Sequence, residues 1–241
     1  MRKFVFVMLI CFAACAHKIP ISERNTLRQV SYADNLMSKE KYRSALEIYE
    51  NIIFQCRGDT ILEKVQYKLA DCYFQQKLYA DAIFEFEEFL RLFSVSKYSE
   101  DVDSKLGLCW FELSLSHHLD QTETKNAIKQ FKNFLTKYPN SEKKENVKEL
   151  LIKCENKLLD KKYENGHIYF MMGYYNAALM YLTEILDENT SGKIDRKTLI
   201  LAAKIYSKKN DMSTLEKVYQ TFKQKYPDNL EIEKIEQLLG K

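Results

Sequence analysis

Leu69-Ala70-Asp71-Cys72-Tyr73-Phe74 returns as Leu106-Gly107-Leu108-Cys109-Trp110-Phe111, then as Asn165-Gly166-His167-Ile168-Tyr169-Phe170, and in short form as Ala202-Ala203-Lys204-Ile205-Tyr206. A second segment accompanies these copies, with a small residue four positions before an aromatic or Leu: Ala45/Tyr49, Ala82/Phe86, Ala127/Phe131 and Ala178/Leu182, with Leu215/Tyr219 a weaker fifth. Residues four apart share one face of a helix. Around these segments apolar side chains recur three and four apart, as in Leu62, Val65, Leu69, Cys72 and Tyr73, and no stretch holds strand-like alternation for long. With 6 glycines and 3 prolines in 241 residues, the chain is too poor in turn formers for a β-sandwich or barrel. It reads as an all-α protein of paired helices.

The small residue, the aromatic, the Ala-x3-Phe step and a closing proline make up the tetratricopeptide pattern, whose period is about 34 residues. Pro139 and Pro227 both follow Tyr at the same repeat position, and Gly107, Gly166 and Gly173 fall where the repeat takes a small or turn residue. Small residues let paired helices approach and aromatics fill the gaps, so each hairpin buries its apolar face on the next. The expectation is a right-handed α-solenoid of about five hairpins, near 26–56, 60–94, 99–139, 142–189 and 194–228 within a domain of 26–241. Steps between Ala45, Ala82, Ala127, Ala178 and Leu215 are 37, 45, 51 and 37 residues, so the array is irregular. The polar stretch 117–123 reads as an inserted loop. Residues 141–172 stay amphipathic and read as one long helix. Thr60-x-x-Glu63 and Ser213-x-x-Glu216 resemble capping boxes, and 187–192 reads as a linker.

Arg2 and Lys3 precede eleven apolar residues, 4–14, too few to span a bilayer and typical of a signal-peptide core. Phe12-Ala13-Ala14-Cys15 resembles the lipobox of bacterial lipoproteins, which makes 1–14 a signal peptide, Cys15 the acylated residue and 15–25 a tether. Phe12 replaces the usual Leu, and Cys11, after bulky Ile10, is the poorer alternative. Two or more acyl chains give stable attachment. By analogy with lipoprotein sorting, Ala16 rather than Asp after the cysteine directs the chain to the outer membrane. Lys+Arg 37 against Asp+Glu 34 gives +3; without Arg2 and Lys3 the balance is 35 to 34, or +1. That is far from the basic excess of a nucleic-acid binder.

Irregular tetratricopeptide repeats close behind a lipidated cysteine resemble the BamD family of outer-membrane assembly lipoproteins. The likeness is carried by Leu119-Asp120-Gln121-Thr122 with Ala127-Ile128, Phe131, Phe134 and Tyr138-Pro139-Asn140-Ser141-Glu142, and by Arg57-Gly58, the long helix and Tyr169 with Gly173-Tyr174-Tyr175-Asn176-Ala177-Ala178. It covers roughly residues 26–228 and is closer to Bacteroidota members than to proteobacterial ones. Where the latter place an arginine in the second helix of the fourth repeat, this chain has Met180, so an ionic partner contact there does not carry over. The resemblance implies a non-catalytic scaffold at the inner face of the outer membrane, docked on a BamA-like barrel insertase with other assembly subunits and receiving unfolded outer-membrane proteins with aromatic-ended C-terminal signals. The peptide groove of such repeats maps to first-helix positions Asp34, Met37, Tyr67, Asp71, Phe74, Leu108 and Phe111. Aromatic stripes at helical spacing more often form core. A rival reading is another periplasmic tetratricopeptide lipoprotein, one coordinating envelope or cell-wall synthesis; the long N-terminal coiled coil that would favour it has no room between Cys15 and the first repeat.

Little points to chemistry. His117-His118 near Asp120 has no HExxH or CxxC spacing, adjacent helical residues diverge, and a solvated loop is expected, with no metal and no cofactor. Cys72 and Cys109 sit at equivalent positions of neighbouring first helices, too far apart for a disulfide, so Cys56, Cys72, Cys109 and Cys154 read as free structural thiols. A nucleophilic Cys paired with His167 has no motif behind it, and the chain reads as a non-enzyme.

Overall fold

The computed structural model describes residues 26–55, 61–188 and 192–240. The signal peptide, Cys15, Cys56 and Thr60 with its expected capping box lie outside the described residues, as do 189–191 of the expected linker. The described residues form helices α1 (Thr26–Ser38), α2 (Tyr42–Gln55), α3 (Leu62–Gln75), α4 (Tyr79–Leu92), α5 (Ser99–Leu113), α6 (Thr122–Lys137), α7 (Lys144–Met171), α8 (Tyr175–Asp187), α9 (Lys193–Lys208), α10 (Met212–Lys225) and α11 (Glu233–Leu239), with no strand among them. From α1 to α10 each packs chiefly on a neighbour in sequence, which is the arrangement of an α-solenoid, and α11 folds back mainly on α9. None of these helices is long and apolar enough to cross a membrane.

The repeat letters of the sequence are the core. Ala45, Ala82, Ala127 and Ala178 are fully buried, as are Tyr49, Phe86 and Phe131 four residues on. At Gly107 the approach of α5 to α6 is so close that a Cβ would lie 2.5 Å from the Phe131 ring. Phe131 is itself enclosed by Phe134, Val147 and Cys154.

Four of the five hairpins turn on a residue with left-handed backbone: Glu40 (φ 58°), Lys77 (φ 60°), Gly173 (φ 80°) and Asn210 (φ 55°). After α3, the amide of Leu78 reaches back to the Tyr73 carbonyl at 3.0 Å and that of Lys77 to Phe74 at 2.9 Å, and the same pair follows α7 and α9. This is a Schellman closure, and glycine adopts its left-handed position without strain. The α5–α6 hairpin has no such residue and carries the inserted segment instead.

The closing Tyr of two repeats has a partner that the sequence reading did not assign. Asp103 of α5, almost fully buried, accepts hydrogen bonds from Tyr138 Oη (2.8 Å), Lys137 Nζ (2.8 Å) and Gln130 Nε2 (3.0 Å). Asp195 of α9, fully buried, accepts from Tyr226 Oη (2.7 Å) and Lys225 Nζ (3.3 Å). Lys-Tyr-Pro at 137–139 and 225–227 is thus one device used twice. It ties the end of a second helix to the first helix of its own hairpin, and a buried carboxylate needs such partners.

Two local expectations change. The start of α10 is capped by Asp211, which accepts from the Thr214 amide at 3.1 Å, while Ser213 lies inside the first turn. Beyond the fifth hairpin a 3-10 turn (Leu230–Ile232) leads into α11, which buries Ile235 against the Leu199–Phe222 cluster and covers the open end of the array. Terminal repeats need such a cover because no further hairpin buries their apolar face.

Candidate functional site

The seven groove positions lie on α1, α3 and α5. Their surroundings are ionic as well as aromatic. Asp34, half-buried on α1, accepts from Tyr49 Oη (2.6 Å) and Lys64 Nζ (2.5 Å). Burial raises its carboxyl, but the bonds from Lys64 and Tyr49 outweigh this and hold it below the usual range. Met37, one turn on, faces Cys72 of α3, sulfur to sulfur, at 3.0 Å.

Lys105 of α5 gathers three of the candidates. Its ammonium donates to Asp71 (2.7 Å) and to Tyr67 Oη (3.1 Å), pairs with Asp101 at 2.8 Å, and lies 5.7 Å from the Phe74 ring centre. Tyr67 also donates to Asp101 (2.7 Å) and stacks on Tyr98 with ring centres 4.4 Å apart. Burial and the bond to Asp101 raise its phenol, so it stays a donor. Asp101 is the converse. Burial alone would raise it, yet hydrogen bonds from Lys105, Lys143 and Tyr67 bring it down to about 2. Lys143 at the start of α7 contacts the second carboxylate oxygen of Asp101, extending the chain of pairs from α3 through α5 to α7.

Phe74 is half-covered by Tyr79 and Phe86 and belongs with the core beneath. Phe111 packs on the Phe131 cluster under Lys157, whose ammonium is 5.7 Å from its ring. Leu108, partly exposed, joins none of the core clusters among the described residues. The first-helix face therefore brings Tyr67, Asp71 and Phe74 together around Lys105, joins Asp34 and Met37 to α3, and leaves Leu108 the freest of the seven. Sequence reasoning missed Lys105, Asp101 and Lys143. The signal was there, because Asp71 and Lys105 are 34 residues apart, as are Tyr67 and Asp101, one repeat length in each case.

Cys72, Cys109 and Cys154 are free and fully buried. Burial pushes the first two thiols up to about 12 and Cys154 to about 11, so none of the three supplies a thiolate at neutral pH. His167, on α7, stacks against Tyr163 with ring centres 6.2 Å apart.

The model of the YfiO outer membrane lipoproteins, the family of BamD, matches residues 29–224, from α1 to the last turn of α10. The chain belongs to this family. The YfiO match covers all five hairpins and both inserted features, the loop after α5 and the long α7. Comparison with curated proteins finds no match. Among solved structures, a thermophilic tetratricopeptide protein of Thermus thermophilus aligns over 90% of this chain and 100% of its own, at 13% identity and TM-score 0.39. The TPR2AB domain of yeast Sti1, solved as a complex with pHSP90, aligns over 89% and 97% at 13% identity and TM-score 0.43. A tetratricopeptide protein of Parabacteroides merdae aligns over 90% and 99% at 12% identity and TM-score 0.30. None of the three is similar enough to bear on function.

Proposed function

We propose that this YfiO-family chain is the BamD-like scaffold of an outer-membrane β-barrel assembly machine, tethered through Cys15 to the periplasmic face of the membrane, holding a BamA-like insertase and receiving unfolded outer-membrane proteins. The observation that carries the reading is the family match running unbroken from α1 through α10, which takes in the whole solenoid rather than one generic repeat. Placement of apolar side chains supports a division of labour. Ile168, Met171, Met172, Tyr174 and Met180, around the α7–α8 turn and on α8, are half or more exposed, a cost to a soluble solenoid that a docked partner removes. Met180 stands where the proteobacterial relatives carry arginine, so apolar contact takes the place of an ion pair there. The first three hairpins offer the Lys105-centred face and Leu108 to an extended peptide with an aromatic end and a C-terminal carboxylate.

The test is co-purification of the detergent-solubilised lipoprotein with its partners, in wild type and in Met171→Asp with Met180→Asp. The wild type should bring down a barrel-forming insertase and the double variant should lose it, with helical content unchanged. Point charges serve better than truncation after Asn189, because removing α9 strips Leu201 and Ile205 from Leu159, Leu182 and Ile185 and opens the core. Leu108→Glu should weaken capture of aromatic-ended peptides without affecting the insertase. Recovery of cell-wall synthesis enzymes in place of an insertase would favour the rival lipoprotein reading.

A further inference from the structure

The segment between α5 and α6 is a built structure. Ser116, His117, His118 and Leu119 form a turn closed by the Leu119 amide on the Ser116 carbonyl at 2.9 Å. Buried Gln121 holds the turn from inside, donating to the carbonyls of Ser116 (2.8 Å), Leu119 (3.2 Å) and Asp120 (2.9 Å). One stripe of α7 fixes it from outside. Lys157 Nζ donates to Ser114 Oγ at 2.6 Å and Lys161 Nζ to the Leu119 carbonyl at 2.6 Å. Glu164, next on the same stripe at i+7 from Lys157, receives both histidines. His117 Nε2 lies 3.4 Å from Glu164 Oε2, and His118 Nδ1 contacts the same oxygen.

Adjacent histidines diverge on a helix, but in this turn their rings lie side by side, centres 3.9 Å apart and planes inclined by 39°. Two imidazole nitrogens and one carboxylate oxygen thereby converge, all within 4.8 Å of one another. Ligands about 2.0–2.2 Å from a tetrahedral ion stand about 3.3–3.6 Å apart, so the His117–Glu164 separation already fits, and the His118 ring has to swing outward by about 1 Å to make room for an ion. The site opens on a cleft of about 570 Å³ whose walls include Asp160 and His167, which leaves room for water or a fourth donor. Each neutral imidazole can present the required lone pair by carrying its proton on the other nitrogen, so no proton need be lost.

We propose that His117, His118 and Glu164 form a binding site for a borderline divalent transition ion of the Zn²⁺ class, which staples the α5–α6 insertion to α7 at the middle of the solenoid. Two imidazoles with one carboxylate suit Zn²⁺, Ni²⁺ or Cu²⁺ and disfavour Mg²⁺ and Ca²⁺, which take all-oxygen shells. The support from Gln121, Lys157 and Lys161 orders the ligands in advance, which reduces the cost of assembling them.

The experiment uses the solubilised mature lipoprotein, purified without a histidine tag and stripped with chelator, titrated calorimetrically with Zn²⁺ and separately with Mg²⁺. One Zn²⁺ per chain is expected and no Mg²⁺. His118→Ala and Glu164→Gln should each weaken Zn²⁺ binding at least tenfold, and Cys56→Ser should leave it unchanged. Zn²⁺ should also raise the thermal midpoint of the wild type and not of Glu164→Gln, with circular dichroism confirming that the variants remain helical. Failure of the wild type to saturate at one ion, wild-type affinity in Glu164→Gln, or loss of binding in Cys56→Ser would overturn the site. In the first case Glu164 is a hydrogen-bond acceptor for two imidazole N–H groups and nothing more.

Discussion

Gly107→Ala sets two effects of known sign against each other. In a helix interior, alanine is favoured over glycine by about 1 kcal/mol. Position 107 is buried in α5, however, and the added Cβ would sit 2.5 and 2.6 Å from two carbons of the Phe131 ring. Phe131 is fully buried and cannot swing away without disturbing α6 and α7, so overpacking in the range of about 1–3 kcal/mol applies, toward its upper end. The net expectation is a loss of about 1–2 kcal/mol. Gly166→Ala is the internal control, because the same propensity gain applies and the nearest atom is the end of the Leu182 side chain, at 3.0 Å. That substitution should be near neutral. For a chain of this size each kcal/mol moves the midpoint by about 2–4 °C, so thermal unfolding followed by circular dichroism should place Gly107→Ala at least about 2 °C below Gly166→Ala. A double-mutant cycle with Phe131→Leu should return about 1 kcal/mol or more of coupling, since the shorter side chain makes space for the methyl group. Equal midpoints, or Gly107→Ala melting higher, would refute the helix register and the close approach of α5 to α6.

Other outcomes follow from the same geometry. Asp101 titrates near 2 in the folded chain against an ordinary 3.8, so its ion pairs contribute stability in full above pH about 4 and lose it as the pH falls to about 2, a contribution of about 2 kcal/mol; urea titrations of Asp101→Asn should therefore show a shallower acid limb than wild type, and parallel limbs would refute the assignment. Tyr138→Phe removes one hydrogen bond to buried Asp103 and should cost about 1.5–3 kcal/mol in urea unfolding, with a negligible change counting against the Lys-Tyr-Pro device. Native alkylation at pH 8 should leave Cys72, Cys109 and Cys154 unlabelled while denaturation exposes all three, and rapid native labelling of any of them would show that the burial is wrong.

The fold was legible because tetratricopeptide packing writes itself into single residues. A glycine is required where α5 meets the Phe131 ring, and an alanine where the second helix of each of the first four hairpins is packed; these are local demands that leave a recurring pattern in the chain. The end of the array was less legible. Residues 230–239 repeat nothing, so α11 is specified by the apolar face it covers and not by a motif. The capping box at Ser213 failed for a related reason. Asp211 and Ser213 both suit an N-cap, and the left-handed Asn210 at the hairpin turn selects the earlier residue.

The candidate surface was legible only in part, because the sequence exposes which residues share a helix face but not which ones face each other across repeats. Tyr67, Asp71 and Phe74 read as a stripe on α3. What binds them into one surface is Lys105, a repeat length away, and a lysine on a helix is ordinarily a solvated charge. The same limit applies more strongly to the turn at His117. Its partner on α7 is 47 residues downstream, on a helix whose length is the irregular feature of the array, and no local spacing can signal it. An insertion in a repeat protein can be read from its sequence as a break in the period. Its consequence depends on what the break lets the loop reach, and here a helix of 28 residues extends far enough to present Lys157, Lys161 and Glu164 to it. The two departures from a regular period thus complete each other, since a shorter α7 would lack the stripe that receives the loop, and a shorter loop would leave that stripe of charges facing water.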